Sequence, residues 1–212
     1  MSGRSKHPIF ARVYPRLSLA MEREGGADLR RRLLAGLSGR VIEVGAGNGL
    51  NFAHYPPEVT GVLAVEPEPY LREVARRNAE AAAVPIEMVD GVADQLPGED
   101  CAFDAAVASL VLCSVPDQRT ALREVHRVLR PGGRLHFLEH VRAGTQGLLR
   151  AQRVVDATIW PVFFGGCHTA RDTVAAIEAA GFRLERLDRF RFPEAGPTVP
   201  TSPHAQGVAV RQ

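Results

Sequence analysis

Glu43-Val44-Gly45-Ala46-Gly47-Asn48-Gly49 sets an acid and three alternating glycines at the end of the apolar run that starts at Val41. Glycine leaves no side chain between backbone and ligand, and it opens dihedrals closed to other residues. A buried strand opening into such a turn, followed by a helix, can wrap a small polar ligand at the strand's carboxyl end, beside the helix N-terminus. Spacing selects the ligand. Dinucleotide binding asks for G-x-G-x-x-G, whose third glycine lets strand and helix pack closely. Leu50 occupies that third position and Gly49 falls one place early, which disfavours a nicotinamide cofactor.

A second acid answers the turn. Val62-Leu63-Ala64-Val65 reads as a buried strand ending in Glu66-Pro67. Glu66 lies about 20 residues beyond the first glycine, where a carboxylate accepts hydrogen bonds from both hydroxyls of a nucleoside ribose. The plainer role is negative charge at the next helix N-terminus. Coupled to the glycine turn, the ribose role takes precedence. The next strand ends in Asp90-Gly91-Val92-Ala93-Asp94, where an adenine ring would lie. The fourth ends in Ser109-Leu110-Val111-Leu112-Cys113-Ser114-Val115, which either walls the rest of the ligand or is simply core. No Asn/Asp-Pro-Pro-Tyr/Phe occurs here to hold a nucleobase amine.

His140 follows Glu139 at the end of a fifth strand, on the edge where open α/β sheets bind ligands. It is a candidate proton acceptor, against the plainer role of a structural hydrogen bond. His168, in Phe163-Phe164-Gly165-Gly166-Cys167-His168-Thr169, carries the same two readings. Cys167 reads as a small buried hydrophobe rather than a nucleophile. Tyr14, Cys113, His140, Trp160 and His168 are the candidates for contact with a substrate.

These residues need elements to position them. Residues 1–8 read as disordered. Ile9, Phe10, Val13, Tyr14 and Leu17 fall at helical spacing, with Pro15 expected to begin or interrupt that helix, and Gly25-Gly26 to end the segment. Leu29, Leu33, Leu34 and Leu37 mark a second helix that stops at Gly39. From residue 40 strands (40–45, 61–66, 85–90, 103–110, 133–139) alternate with helices (49–55, 68–82, 118–129), the rhythm of a parallel sheet covered on both faces. Leu129-Arg130-Pro131-Gly132-Gly133 is a helix stop and sharp turn into strand five. Helices at 147–159 and 171–180 follow, then strands at 182–192 and 205–211 that suit an antiparallel hairpin at one edge. The expectation is an α/β fold: a Rossmann-like, seven-stranded, mostly parallel sheet with that C-terminal hairpin. Residues 1–39 would form a helical lid and 40–212 the catalytic domain.

Bulk properties exclude other classes. The 212 residues suit one domain with a substantial core. A net charge of +2, with Lys6 the only lysine among 26 basic residues and the arginines spread over most helices, argues against a nucleic-acid surface; the skew reads as a GC-rich genome. Cys101, Cys113 and Cys167 form no C-x-x-C pair, so spacing announces neither a zinc site nor a disulfide framework, and no metal is expected. Neither a secretory core nor a stretch long enough to span a bilayer is present, so a cytoplasmic protein, monomeric or homodimeric, is expected.

The ordered set of the E-x-G-x-G-x-G turn, the strand-end Glu66, Leu96-Pro97, Phe103-Asp104 and Leu129-Arg130-Pro131-Gly132-Gly133 resembles class I S-adenosylmethionine-dependent methyltransferases, most of all the branch with ubiquinone and menaquinone methyltransferases. Over roughly residues 40–190 the chain further resembles mammalian methyltransferase-like thiol S-methyltransferases. That likeness rests on Asn51-Phe52, Tyr55-Pro56-Pro57, Leu110 to Val115, Leu122 to Val125, Glu139-His140-Val141, Trp160, Gly166-Cys167, Thr169 and Arg171. The resemblance implies S-adenosylmethionine as cofactor, held by Glu43, Gly45, Ala46, Gly47, Asn48, Gly49, Glu66, Pro67, Gly91, Val92, Ala93 and Leu110. It implies a small or lipophilic thiol as acceptor. Two departures stand out. The mammalian proteins carry an N-terminal apolar anchor that this chain lacks, and Val92 stands where the wider class usually has an acid for the adenine amino group, a role left to nearby backbone or Asp94.

A thiol attacks as thiolate, of which only a few per cent exists at neutral pH for a free pKa near ~8.5. His140, if it faces the pocket, would take the proton. Alternative acceptors are a quinone-like carbon, a phenol or a phospholipid amine; an alternative of another kind is a non-catalytic S-adenosylmethionine-binding regulator.

Overall fold

The computed structural model describes residues 8–158 and 160–212. Its centre is a seven-stranded sheet in the order β3-β2-β1-β4-β5-β7-β6. The strands are β1 (Gly39–Val44), β2 (Val59–Val65), β3 (Ile86–Val89), β4 (Phe103–Ser109), β5 (Leu129–His140), β6 (Phe182–Arg191) and β7 (Pro203–Arg211). Pairings among β1 to β5 are parallel, whereas β7 runs antiparallel to both β5 and β6. The chain order reverses between β1 and β4, and such a switch point leaves a crevice outside the strands' carboxyl ends.

The apolar runs follow from burial on both faces. Successive side chains of a strand point to opposite faces. Accordingly Val41, Ala105 and Val107 join one core cluster, with Leu29, Leu33, Leu34 and Phe52. Ile42, Val44, Ala106 and Ala108 join the other, with Leu122, Val125, Val174 and Ile177. The second cluster is covered by α4 (Gln118–Val128), whose Ala121, Leu122, Val125 and Val128 form a buried stripe, and by α7 (Thr173–Ala179). The first is covered by α2 (Ala27–Leu34). Of the segment expected as a lid, the described residues 8–39 are not of one kind: α2 belongs to the core, and α1 (Pro8–Met21) reaches the crevice. The remaining helices are α3 (Pro69–Ala79), α5 (Gln146–Asp156) and α6 (Trp160–Phe163). Among the described residues, no helix is long and apolar enough to cross a membrane.

Several local expectations are corrected. Pro15 neither begins nor interrupts α1, which runs through it. The hydrogen bond lost at its nitrogen is outweighed by tertiary docking of Phe10, Ala11 and Tyr14 at the crevice. Gly25-Gly26 does not stop the N-terminal helices but kinks them, with Gly25 at φ 107° inside a π-turn, Glu22–Gly26, that leads into α2. No α-helix forms at 49–55: a single 3₁₀ turn, Phe52–His54, follows the glycines. The Asn51 side chain there is committed to bonds with Glu43 and Arg30, and Tyr55 is already extended before Pro56. Strand β5 starts at Leu129, not 133. Its partners shift from Phe103↔Leu129 to Ala105↔Arg134, so Arg130 to Gly133 bulge out within the strand. The helix expected over 147–159 ends at Asp156, and residue 159 lies outside the described residues. So do residues 1–7 of the disordered stretch expected at 1–8, whereas Pro8 opens α1.

Candidate active site

A cleft of about 210 Å³ lies over the carboxyl ends of β1, β2 and β4. Gly45 and Gly47 form its floor, with Val65, Glu66 and Pro67 at the tip of β2. Gly91, Val92, Ala93 and Asp94 make one wall; Leu110, Val111, Ser114 and Val115 make another. Phe10, Ala11 and Tyr14 of α1 close over it, the Phe10 and Tyr14 rings 5.0 Å apart. Burial pushes the Tyr14 hydroxyl above its ordinary value, so it stays protonated and neutral.

The floor explains the glycines. Gly45 has φ 67° and Gly47 φ 58°, the left-handed region that L side chains avoid. A Cβ on Gly45 would overlap the Val111 side chain, and one on Gly47 would stand 3.3 Å from the Tyr14 ring.

Glu66 is buried, with 6% of its surface exposed. One carboxylate oxygen accepts the backbone N–H of Gly47 at 2.8 Å, the other that of Glu68 at 2.8 Å, where α3 begins. The bond to Glu68 puts the acid at the start of α3, and the bond to Gly47 ties it to the glycine turn. Burial raises its pKa, against the lowering effect of those two N–H bonds. Each oxygen keeps a lone pair for a further donor.

The second wall is held by two groups, Glu139 and Arg171, that the sequence reading named only as part of the family likeness and gave no role. Leu110 sits at φ 58°, strained for a leucine. Beyond it, the backbone N–H groups of Val111, Leu112 and Cys113 all donate to the buried Glu139 carboxylate at 2.9–3.0 Å. Arg171 Nη1 binds the carbonyls of Leu112 (2.9 Å) and Val115 (2.7 Å) from the other side. Burial raises the Glu139 pKa, against the lowering by its N–H partners.

Other candidates lie away from the cleft. Glu43 faces the α2 side of the sheet, where it accepts from Asn51 Nδ2 and the Tyr55 hydroxyl, each at 2.7 Å; Asn51 in turn accepts from Arg30 at 2.9 Å. Burial raises the Glu43 carboxyl to about 7. These bonds tie the end of β1 to the segment that follows the glycine turn. Ala46, Asn48 and Gly49 shape the turn without lining the cleft. Asn48 donates to Ser18 at 3.0 Å, joining the turn to α1. His168 Nδ1 pairs with the Gly166 carbonyl at 2.7 Å, and Trp160 stacks on Phe164 at 3.7 Å.

His140 is not among the residues that line the cleft; it belongs to a cluster beside it. Its Nδ1 lies 3.7 Å from Cys113 Sγ and 3.6 Å from Cys167 Sγ, and the two sulfurs are 3.8 Å apart. Its ring lies 4.5 Å from that of His204, which burial lowers to about 3 and so keeps neutral. Cys113 and Cys167 are free thiols. The hydrogen bond between them favours ionisation of Cys167 and opposes that of Cys113.

Residues 42–137 match the family described as a methyltransferase domain. Human thiol S-methyltransferase TMT1A is 34% identical over 95% of this chain and 83% of its own length. Demethylmenaquinone methyltransferase of Thermus thermophilus is 33% identical over 88% of this chain and 86% of its own. A Thermotoga maritima structure described as an S-adenosylmethionine-dependent methyltransferase superposes with a TM-score of 0.71 at 21% identity, covering 96% of this chain and 99% of that one.

The chain therefore belongs to the class I S-adenosylmethionine-dependent methyltransferases, in the family that includes the thiol S-methyltransferases. S-adenosylmethionine is its cofactor. The cleft has the chemistry to accept it: a floor kept bare by two glycines, a buried carboxylate with acceptor capacity at a strand tip, and apolar walls at Val92, Ala93 and Leu110.

Proposed function

We propose that the chain methylates a small or lipophilic thiol. The observation that carries the reading is the apolar enclosure of the cleft by Phe10 and Ala11 of α1 facing Leu110, Val111 and Val115. It suits an acceptor that is itself apolar. The similarity to thiol S-methyltransferases of human and rat, at 34% and 38% identity, supports sulfur as the reacting atom.

When bound, S-adenosylmethionine supplies an already electrophilic methyl, so the hard chemistry belongs to the cofactor. This chain's own residues bind, orient and exclude water. In this reading Gly45, Gly47 and Glu66 hold the adenosyl portion, with Pro67 and the Gly91-Val92-Ala93 wall alongside. Helix α1 acts as the lid, with Tyr14 touching the acceptor. The protein works without crossing a membrane, in the cytoplasm.

A quinone-like acceptor is the second reading, favoured by the 33% identity to a demethylmenaquinone methyltransferase. Incubation with methyl-labelled cofactor and a panel of one thiol, one quinol, one phenol and one amine separates the two. The thiol reading expects label on sulfur. Label on the quinol with the thiol inert would replace it with the quinone reading, and cofactor binding without label on any acceptor would make the chain a non-catalytic binder.

A further inference from the structure

Cys113, His140 and Cys167 come from three separate segments: the loop after β4, the end of β5 and the loop after α6. Their ligand atoms all lie within 4.8 Å of one another. We propose that they form a zinc site with three protein ligands and one open position. The edges of the triangle carry the assignment. Zinc bonds of about 2.3 Å to sulfur and 2.0–2.1 Å to nitrogen, arranged tetrahedrally, place two sulfurs about 3.8 Å apart and sulfur and nitrogen about 3.6 Å apart. The structure has 3.8 Å between the sulfurs and 3.7 and 3.6 Å from them to His140 Nδ1. These are the edges of one tetrahedral face, whereas a disulfide requires about 2.05 Å.

Hydrogen bonding alone explains the triangle less well. An imidazole nitrogen offers one proton or one lone pair, yet Nδ1 faces two sulfurs at equal reach. Both thiols are buried, with 1% and 6% of their surface exposed. A soft divalent cation satisfies all three donors at once and neutralises the thiolates it creates.

Among the described residues the cluster offers no fourth protein ligand. Closed structural sites use four; three with an open position is the pattern of sites that bind an exogenous ligand. The site is next to the acceptor region: Ser114, adjacent to Cys113, and Gly165, two residues before Cys167, both line the cleft. The open position accordingly receives the acceptor thiol, and this half rests on the thiol reading above. On coordination the S–H bond breaks, the electron pair stays on sulfur as the metal–sulfur bond forms, and the proton leaves to solvent. The metal thereby supplies the thiolate without a separate protein base.

The test starts with wild-type protein treated with a chelator and a phosphine reductant, then titrated with zinc by calorimetry and with cobalt by absorption. One equivalent of zinc and a thiolate-to-cobalt charge-transfer band are expected. Affinity should fall at least tenfold in Cys113→Ser, Cys167→Ser and His140→Asn and hold in Cys101→Ser. Absence of saturable binding by wild type overturns the site, as does binding that survives both the Cys113→Ser and Cys167→Ser changes. The wild-type titration decides even if a variant fails to fold. For the open position, 2-mercaptoethanol is added to the cobalt protein, with metal and thiol without protein as the blank. A shifted band supports thiol coordination and an unchanged one overturns it. Should the thiol-methylation reading itself fail, label would be absent from sulfur while the band still shifts.

Discussion

Glu66 holds the backbone N–H of Gly47 at 2.8 Å, tying the tip of β2 to the turn after β1. Both carboxylate oxygens already accept an N–H, from Gly47 and Glu68. Glu66→Gln must set an amide N–H₂ against one of those donors. Leaving a buried donor unsatisfied costs about 1–3 kcal/mol. Since the same group is proposed to hold the ribose, cofactor affinity should fall roughly ten- to hundredfold. Calorimetric titration with S-adenosylmethionine and S-adenosylhomocysteine measures it, and unchanged affinity would remove Glu66 from the site.

Gly45→Ala adds a methyl where the Val111 side chain stands and forces alanine to φ 67°. The two costs are separable. The left-handed backbone alone costs about 1–2 kcal/mol. Val111→Ala in the same chain relieves the overlap and leaves the strain. The single variant should lose detectable cofactor binding and the double variant should regain part of it. Equal binding by both would mean that steric contact at Val111 plays no role in shaping the floor.

How far the sequence could be read follows from the range of each interaction. Val41 to Val44 and Ala105 to Ala108 announce strands buried on both faces because a near-continuous apolar run is a local pattern. Glu66 was legible because its spacing from the glycines is fixed by the strand–turn–strand unit. Glu139 was not, since the amides it holds lie 26–28 residues earlier. Cys113 and Cys167, 54 residues apart, meet only through the sheet order. Pro15 and the 3₁₀ turn at Phe52–His54 misled for the opposite reason: local propensity yielded to docking at the cleft and to the Glu43 network.

The Glu43 network has a pH signature. Its carboxyl is raised from 4.5 to about 7 by burial, which outweighs its bonds to Tyr55 and Asn51. Below 4.5 both folded and unfolded chains hold the proton; between 4.5 and about 7 only the folded chain does. Stability from this group is therefore lost as pH rises through that window. The size is on the order of 3 kcal/mol. Glu43→Gln preserves the contacts, because the Tyr55 hydroxyl can accept as well as donate, and it removes the titration. Urea unfolding at about pH 5 and about pH 7.5 should show wild type losing more stability than the variant between the two. Parallel losses would place the titration elsewhere.

Glu139 is expected to be the most costly carboxylate to remove. Its oxygens satisfy the N–H groups of Val111, Leu112 and Cys113, the segment that Leu110 enters at φ 58°. In Glu139→Ala those donors lose their acceptor at once. With about 1–3 kcal/mol for each buried group left unsatisfied, unfolding free energy should fall by about 3 kcal/mol or more. Leu110 would also be freer to leave the left-handed region, since the backbone beyond it would keep only the Arg171 contacts at the Leu112 and Val115 carbonyls and the Gln118 bond to Leu112. Because Leu110 and Val111 line the cleft, cofactor affinity should weaken alongside stability. Glu139→Gln retains one acceptor oxygen and should fall between wild type and alanine on both measures. Guanidinium unfolding and cofactor titration of the two variants test this ordering. A loss below about 0.5 kcal/mol in Glu139→Ala, the size of an ordinary surface change, would show that Arg171 holds the loop without it.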